Sequence, residues 1–316
     1  MTHSEPRQEH LAFDLKYTLD AIVGIKTTIP DDGFTAPILG TERSGSGVVI
    51  SEDGLVLTIG YLVTEAESVW ITDNRGGAVA GTVLGYDQQS GFGLIQPLGR
   101  LNLPHLSLGL SAAVRAGDNL IVAGAGGISS AINVQVTDVR EFAGYWEYLL
   151  DRAIFTAPDH PNWGGTALLG HHGELLGIGS LFIQQSDEMD QAVDGNMIVP
   201  IDLLKPILSD LRTTGARAGH SRPWLGAFCA DIDGHLVVAN LAEVGPADLA
   251  EMEIGDIILA VAGQPVDDLA DFFRTVWSVG PAGVEIPITV SRDGERLDLL
   301  LETIARGSLL KKPSFH

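Results

Sequence analysis

The order of apolar and polar residues along the 316-residue chain predicts many short strands and few helices. Apolar or β-branched runs of about four to eight residues recur between turn residues, which is typical of strands. The 38 glycines add turn positions throughout the chain. Helical spacing of apolar residues occurs within residues 5–20, 202–212 and 268–279. The pattern therefore indicates a mainly β protein with a few helices.

Two stretches in the first two thirds of the chain carry a family resemblance. Residues 44–58 read SGSGVVISEDGLVLT, two apolar runs joined by an Asp-Gly turn, which is a strong hairpin signal. Residues 161–168 read PNWGGTAL and precede a strand-turn-strand pattern. Both stretches resemble motifs of the HtrA/Deg family of trypsin-like serine proteases. The second is similar to the family's nucleophile segment, Gly-Asn-Ser-Gly-Gly, but has tryptophan in place of serine.

A third stretch resembles the PDZ domain of the same family. Residues 245–266 read GPADLAEMEIGDIILAVAGQPV and are close to the HtrA-type PDZ signature, although Glu251 replaces a usual glycine. Before them, residues 223–228 read PWLGAF and resemble the carboxylate-binding loop and first strand of a PDZ domain. The resemblance implies that this loop offers backbone N–H groups to a peptide C-terminus. The predicted peptide-binding residues are Leu225, Gly226, Ala227 and Phe228.

The resemblance implies a mainly β fold, a trypsin-like double six-stranded β-barrel followed by an α+β PDZ domain, with an N-terminal helix. Residues 1–40 are expected to form a helix and strand with a possible role in oligomerisation. The barrels take residues 41–212, with halves near 41–110 and 111–202 and a closing helix at 202–212. A polar, glycine-containing linker follows at 213–222, then the PDZ domain at 223–305 and a tail at 306–316.

The resemblance also locates the catalytic triad, and the residues found there lack its chemistry. The histidine, aspartate and serine positions hold Tyr61, Gly91 and Trp163, and an oxyanion donor position holds Pro161. Tyrosine is a poor base at neutral pH, glycine has no side chain, and tryptophan has no nucleophilic atom. Proline has no N–H to donate. For Trp163, two interpretations stay open: a ring that fills the vacated cleft, or an anchor for a partner.

From these losses we predict that the chain is not an enzyme but a catalytically inactive, HtrA-like scaffold or adaptor. It would bind peptides or proteins through the PDZ domain and the degenerate cleft. An aromatic loop offers a further possible interface at Tyr145, Trp146 and Tyr148. The alternatives are an active serine endopeptidase or other hydrolase with a relocated site, and a chaperone-like holdase. Candidates for a relocated site are Asp159, His160, His171, His172, Ser129, Ser130 and Ser180.

Composition narrows the choice of partners. A formal net charge of −22 repels phosphate backbones, so nucleic-acid binding is not expected. The lone Cys229 excludes a disulfide framework within the chain and is expected to be buried and inert. No metal site or cofactor is predicted, because no spacing of ligands suggests one. The predicted partners are protein or peptide C-termini, and the predicted assembly is a homo-trimer or an assembly with other proteins.

The location is predicted from the first 20 residues. Acidic residues interrupt their apolar runs, so neither a secretory signal nor a membrane span is expected. A cytoplasmic location is therefore predicted, or a periplasmic one if a signal was removed before residue 1.

Overall fold

The computed structural model describes residues 4–186 and 192–311 and divides the chain into two compact units. The first contains residues 1–140, 152–218 and 311–316, and the second contains residues 141–151 and 219–310. Strands dominate both units, which confirms the mainly β prediction. None of the helices in the described part of the chain is long and apolar enough to cross a membrane.

Six antiparallel strands form the first barrel, in the order β1-β2-β3-β6-β5-β4. The strands are β1 (Ile22–Thr28), β2 (Glu42–Val49), β3 (Val56–Ile59), β4 (Ser68–Thr72), β5 (Ala78–Tyr86) and β6 (Phe92–Pro97). The predicted Asp-Gly hairpin connects β2 and β3, with Gly54 at a φ of +82°. A short helix, α2 (Ala36–Leu39), lies between β1 and β2.

The second barrel also closes, in the order β10-β11-β12-β9-β8-β7. Its strands are β7 (Asn119–Ala123), β8 (Ala131–Gly144), β9 (Tyr148–Ala157), β10 (Ala167–Leu169), β11 (Leu175–Ser186) and β12 (Ala192–Pro200). Its core consists of apolar side chains from alternate strand positions, among them Val122, Val134 and Ile198. The tip of the β8–β9 hairpin, residues 141–151, belongs to the second compact unit.

The second unit is a sheet in the order β13-β14-β15-β17-β18 with β16 paired to β15. Its elements are β13 (Ala227–Ile232), β14 (His235–Leu241), α4 (Pro246–Leu249), β15 (Ile257–Val261), β16 (Gln264–Pro265), α5 (Leu269–Val279), β17 (Glu285–Arg292) and β18 (Glu295–Glu302). Helix α5 packs its buried face, including Phe272, Phe273 and Val276, into the core. Glu251 lies where a glycine was expected and has a left-handed φ of +60°.

Two predicted helices are shorter than the apolar spacing suggested. Residues 5–20 contain a 3-10 turn (Gln8–His10) and α1 (Leu15–Asp20), because the Asp14 carboxylate accepts the Tyr17 N–H and begins a new helix there. In place of the helix predicted at 202–212, the structure has a 3-10 turn (Ile201–Leu203) and α3 (Leu208–Thr214). Pro206 separates them since it cannot donate a backbone hydrogen bond.

Asp202, the first residue of the helix predicted at 202–212, uses its side chain for contacts across the barrel unit. Its carboxylate accepts hydrogen bonds from Ser111 Oγ at 2.9 Å and from the Ala112 N–H at 2.7 Å. The side chain therefore connects two segments of the barrel unit that are distant in sequence and does not cap a helix.

Candidate functional site

Gly164 and Gly165 fix the loop that the sequence singled out against strand β2. The Gly164 carbonyl accepts the Ser46 N–H at 2.8 Å. Gly165 has a φ of +78°, and a Cβ at this position would lie 1.8 Å from the Ser46 carbonyl oxygen. Only glycine allows this approach, so the Gly-Gly pair follows from the close packing of the two backbones.

The three positions assigned to the degenerate triad come together in the structure. The Tyr61 hydroxyl reaches this loop, because a Cβ at Gly164 would lie 2.5 Å from it. Next to Tyr61, the Gly60 N–H donates to the Gly91 carbonyl at 2.6 Å. Burial raises the pKa of Tyr61 well above its usual range, and the neighbouring Trp163 side chain opposes this rise by lowering it. Tyr61 is therefore neutral here.

Trp163 is half-buried, and its ring centroid lies 5.7 Å from that of Phe182. Its carbonyl accepts the Thr166 hydroxyl at 2.9 Å, which closes the turn. These contacts fit a ring that fills the cleft, although the role of Trp163 stays a prediction. Pro161 is exposed at the start of the same turn and offers no N–H there.

The same loop brings His160 to a serine hydroxyl. His160 Nε2 lies 3.3 Å from Ser130 Oγ and 3.2 Å from the Ser130 carbonyl oxygen. The His160 backbone N–H donates to Asn196 Oδ1 at 2.6 Å, and its Nδ1 accepts the Asn162 N–H at 3.2 Å. His160 is 2% exposed, whereas Ser130 is half-buried at the end of an exposed 3-10 turn.

The absence of a side chain at Gly124 leaves room for the side chains of His160 and Ser130. A Cβ at residue 124 would lie 2.9 Å from Ser130 Oγ and 3.1 Å from both His160 Cε1 and Ser46 Oγ. His160 and Ser130 are both among the candidates predicted from the sequence for a relocated site, but no sequence pattern pairs them. They are 30 residues apart and no local motif joins them.

The other relocated candidates have different surroundings and contacts. Ser129 is exposed and donates to the Gly126 carbonyl at 3.0 Å. His171 and His172 are exposed at the predicted turn, and the His172 N–H donates to Glu174. Asp159 is half-buried and Ser180 is buried. Among the described residues, no cluster of three or more His, Cys, Asp or Glu side chains is able to hold a metal ion.

The predicted peptide-binding loop of the second unit contains a carboxyl group from the chain itself. Glu147 Oε1 accepts the Leu225 N–H at 3.0 Å and the Gly226 N–H at 3.1 Å. Gly226 has a φ of +74°, which glycine adopts readily. Burial raises the pKa of Glu147 to about 8, against the effect of the two N–H groups and of the Arg306 charge. Glu147 was not predicted as a functional residue, because its position within the aromatic loop is the one sequence feature that distinguishes it.

The aromatic loop packs within the second unit. Tyr148 is 4% exposed and stacks on Trp146, with ring centroids 5.7 Å apart. Tyr145 is 53% exposed, and its ring centroid lies 6.3 Å from that of Phe228 on β13. Of the three residues predicted as an interface, only Tyr145 is exposed to this extent, and the interface stays a prediction. Cys229 is fully buried, and burial raises the pKa of its thiol.

Comparison with known protein families matches both parts of the chain. The trypsin-like peptidase domain matches residues 45–178 and the PDZ domain matches residues 223–303. A probable periplasmic serine endoprotease, DegP-like, from Pseudomonas fluorescens is 27% identical over 278 residues, covering 81% of this chain. The corresponding Halomonas elongata protein is 29% identical over 79% of this chain. The chain spans about half the length of these relatives, 55% and 54%.

Solved structures show the same fold. The HtrA-type protease AlgW with decapeptide is similar at a TM-score of 0.56 and 20% identity, over 95% of this chain and 98% of that one. The serine endoprotease from Yersinia pestis is similar at a TM-score of 0.54 and 20% identity, over 92% and 96%. Both support two barrels followed by a PDZ domain.

These comparisons correct one prediction and leave others open. The prediction that the chain is not an enzyme is contradicted, because the relatives are named serine endoproteases. Their names include a periplasmic location, so they do not support the cytoplasmic prediction. The resemblance itself is confirmed in both parts of the chain.

Proposed function

Because the chain is a homologue of the DegP/HtrA serine proteases, with a trypsin-like peptidase domain followed by a PDZ domain, we propose that it is an endopeptidase with a relocated site. In this proposal Ser130 is the nucleophile and His160 its base. The observation that carries it is the 3.3 Å separation of Ser130 Oγ and His160 Nε2. That distance is slightly longer than a tight nucleophile–base contact, as is usual before substrate binds.

The proposed reaction is acyl transfer. Ser130 Oγ attacks the carbonyl carbon of a peptide bond while its proton passes to His160 Nε2. His160 then gives that proton to the leaving amine, and water hydrolyses the ester on Ser130 by the same steps in reverse order. The half-exposed position of Ser130 supports this role, because a polypeptide can reach its hydroxyl while the imidazole stays buried.

The tautomer of His160 sets a condition on this mechanism. With Nδ1 accepting the Asn162 N–H, the neutral ring carries its proton on Nε2 and cannot take another from Ser130. Substrate binding must therefore break the 3.2 Å bond to Asn162, so that the ring proton moves to Nδ1. Asn162 is exposed in the turn, where such a rearrangement requires no change in the core.

The test is turnover of a quenched peptide or unfolded casein by the full chain and its variants. We expect Ser130→Ala and His160→Gln to lower kcat/KM by at least about 100-fold, since each removes one reacting group. Ser129→Ala, on the same turn but with its hydroxyl bonded to the Gly126 carbonyl, is the matched control and should keep full activity. Diisopropyl fluorophosphate should label Ser130, as read by mass spectrometry. Turnover that survives Ser130→Ala, or label on another serine, would refute this site.

A second function is supported by the loop at Leu225 and Gly226. We propose that the PDZ domain binds the C-termini of peptides or proteins, as a scaffold or adaptor would. The support is that both N–H groups already hold one carboxyl oxygen, at 3.0 and 3.1 Å. Arrays of C-terminal sequences test the proposal: a defined preference supports it, whereas broad binding of unfolded chains would favour a holdase.

Assembly and location complete the proposal. We propose a homo-trimer built with the N-terminal segment, residues 1–40, in the periplasm that the relatives' names give. Size measurement by light scattering, with and without residues 1–20, tests the assembly. A monomer in both cases would refute it.

A further inference from the structure

Residues 141–151 cover the surface where a peptide would bind to the second unit. Glu147 reaches the N–H groups of the Leu225–Gly226 loop, and the Tyr145 ring lies edge-on to Phe228 on β13. On the other side, Arg274 of helix α5 donates to Asp151 at 2.6 Å and also to Glu141. The segment therefore contacts the Leu225–Gly226 loop, the edge strand β13 and helix α5.

Residues 141–151 also make apolar contacts with the core of the second unit. Ala143 and Leu149 pack against the core cluster of the second unit, which includes Leu225 and Phe273. Tyr148 is buried beneath the tip of the segment, where Trp146 stacks on it. Contacts of this kind normally come from the side chains of a bound peptide, so the segment supplies both the carboxyl group and the apolar side chains of a ligand.

The backbone at Glu147 shows that this placement has a conformational cost. Glu147 has a φ of +60°, a left-handed conformation that costs a non-glycine residue about 1 kcal/mol. Glu147 is also only 7% exposed, so its carboxyl group is removed from water. The two N–H donors offset both costs, which explains why a turn residue lies inside the loop and not in solvent.

We propose that residues 141–151 are a built-in ligand of the PDZ domain, and that a partner's C-terminal carboxylate binds at Leu225 and Gly226 only by displacing Glu147. This inference rests on the proposed peptide binding and adds a mechanism that regulates it. A groove that is open for only a fraction of the time binds peptide more weakly by that same fraction. Removing the internal carboxyl group should therefore tighten peptide binding without adding any contact.

Arg306 strengthens the case for a carboxylate as the displacing group. Its charge acts on Glu147, and its buried Nε has no hydrogen-bond partner among the described residues. A C-terminal carboxylate is ionised throughout the neutral range and gains from this cation. A peptide with an amidated C-terminus lacks that charge and should compete poorly with Glu147.

The experiment measures fluorescence anisotropy of a labelled decapeptide pool that ends in valine, leucine or phenylalanine with a free carboxylate. The same pool with amidated C-termini is the control ligand. We expect Glu147→Ala in the full chain to bind the free pool at least about tenfold more tightly than the wild type does. The amidated pool should bind weakly to both. Glu243→Ala removes an exposed glutamate near the same sheet edge and should match the wild type.

Two further measurements test whether residues 141–151 occupy the peptide-binding loop. Arg274→Ala breaks the ion pairs on α5 but leaves the loop intact, so it should also tighten binding of the free pool. Amide hydrogen exchange at Leu225 and Gly226 should accelerate in Glu147→Ala, because those N–H groups lose their acceptor.

The outcomes separate the two proposals. Equal affinity of the wild type and both variants for the free pool would overturn the built-in ligand while leaving peptide binding in place. Unchanged amide exchange in Glu147→Ala would overturn it as well. Fast exchange with no peptide binding by any variant would refute the proposed peptide binding, and the inference with it.

Discussion

Gly165 is the residue at which backbone geometry most strictly limits the candidate site. Its φ of +78° and the 1.8 Å approach of a hypothetical Cβ to the Ser46 carbonyl leave no room for a side chain. This contact and the bond from the Ser46 N–H to the Gly164 carbonyl hold the Gly-Gly part of the turn against β2. A substitution here therefore tests whether the frame of the loop is under structural constraint.

We expect Gly165→Ala to lower the free energy of unfolding by more than about 3 kcal/mol, because the left-handed φ and a clash with backbone add together. Gly76→Ala is the matched control. Gly76 has a φ of +87° but nothing within 4 Å of its Cβ position, so only the conformational cost of about 1 kcal/mol applies. Urea unfolding of both variants measures the difference. Equal losses would show that the close approach to Ser46 is not a constraint.

At the scale of elements, the tip of the β8–β9 hairpin belongs to the second unit and contacts the 225–226 loop. This tip carries Glu147, whose raised pKa makes the contact with the 225–226 loop sensitive to pH. The groups that act on it are the Leu225 and Gly226 N–H donors and the Arg306 charge, and the Glu147 charge in turn raises the pKa of the buried Cys229 thiol on β13. The pKa is raised on burial, so the closed state binds the proton more tightly than the released, solvated segment does.

The contact should therefore be strongest below the solvated pKa of glutamate, near 4.5, and be lost as pH rises through about 8. We expect affinity of the wild type for the free-carboxylate pool to increase by up to about tenfold per pH unit between 5 and 8. Glu147→Gln cannot ionise and should give a flat profile. Anisotropy titrations at a series of pH values measure both. Identical profiles for the two proteins would contradict the assignment of this titration to Glu147.

At the scale of the whole molecule, ion pairs connect segments that are distant along the chain. Asp87, 4% exposed, accepts hydrogen bonds from Arg217 Nε at 3.0 Å and Nη2 at 2.7 Å, and from Ser90 Oγ at 2.6 Å. Burial alone would raise the pKa of Asp87, but the bonds from Arg217 and Ser90 lower it. The stretch after helix α3 is thus tied to the first barrel.

Arg217→Ala leaves the Asp87 carboxylate buried without its main partner. We expect a loss of about 3 kcal/mol in the free energy of unfolding at pH 7. The loss should shrink as pH falls through the pKa of Asp87, since the wild-type pair contributes only while the carboxylate is ionised. Arg212→Ala, which breaks an exposed pair with Asp53, is the control and should cost less than about 1 kcal/mol. Thermal unfolding at pH 7 and pH 3.5 distinguishes the two variants.

The sequence alone determined the fold and the order of its parts. Strand and turn patterns are local, so the hairpin at residues 44–58 and the strands and helix of residues 227–302 were predictable from neighbouring residues. The assignment of Tyr61, Gly91 and Trp163 to the three triad positions comes from the resemblance to family motifs and stays a prediction. Helix ends could not be predicted from the apolar spacing, because that spacing continues through both Asp14 and Pro206. The cap at Asp14 and the interruption at Pro206 set the actual helix limits.

Only the tertiary structure decided which distant side chains meet. His160 and Ser130 are 30 residues apart, and Glu147 and Leu225 are 78 residues apart, with no pattern in either interval that pairs them. Such contacts depend on how barrels close and on where a hairpin tip packs, both of which follow from the burial of many side chains together. The physical reason is that local sequence patterns determine strands and turns, whereas both proposed sites depend on hydrogen bonds between residues that are distant along the chain.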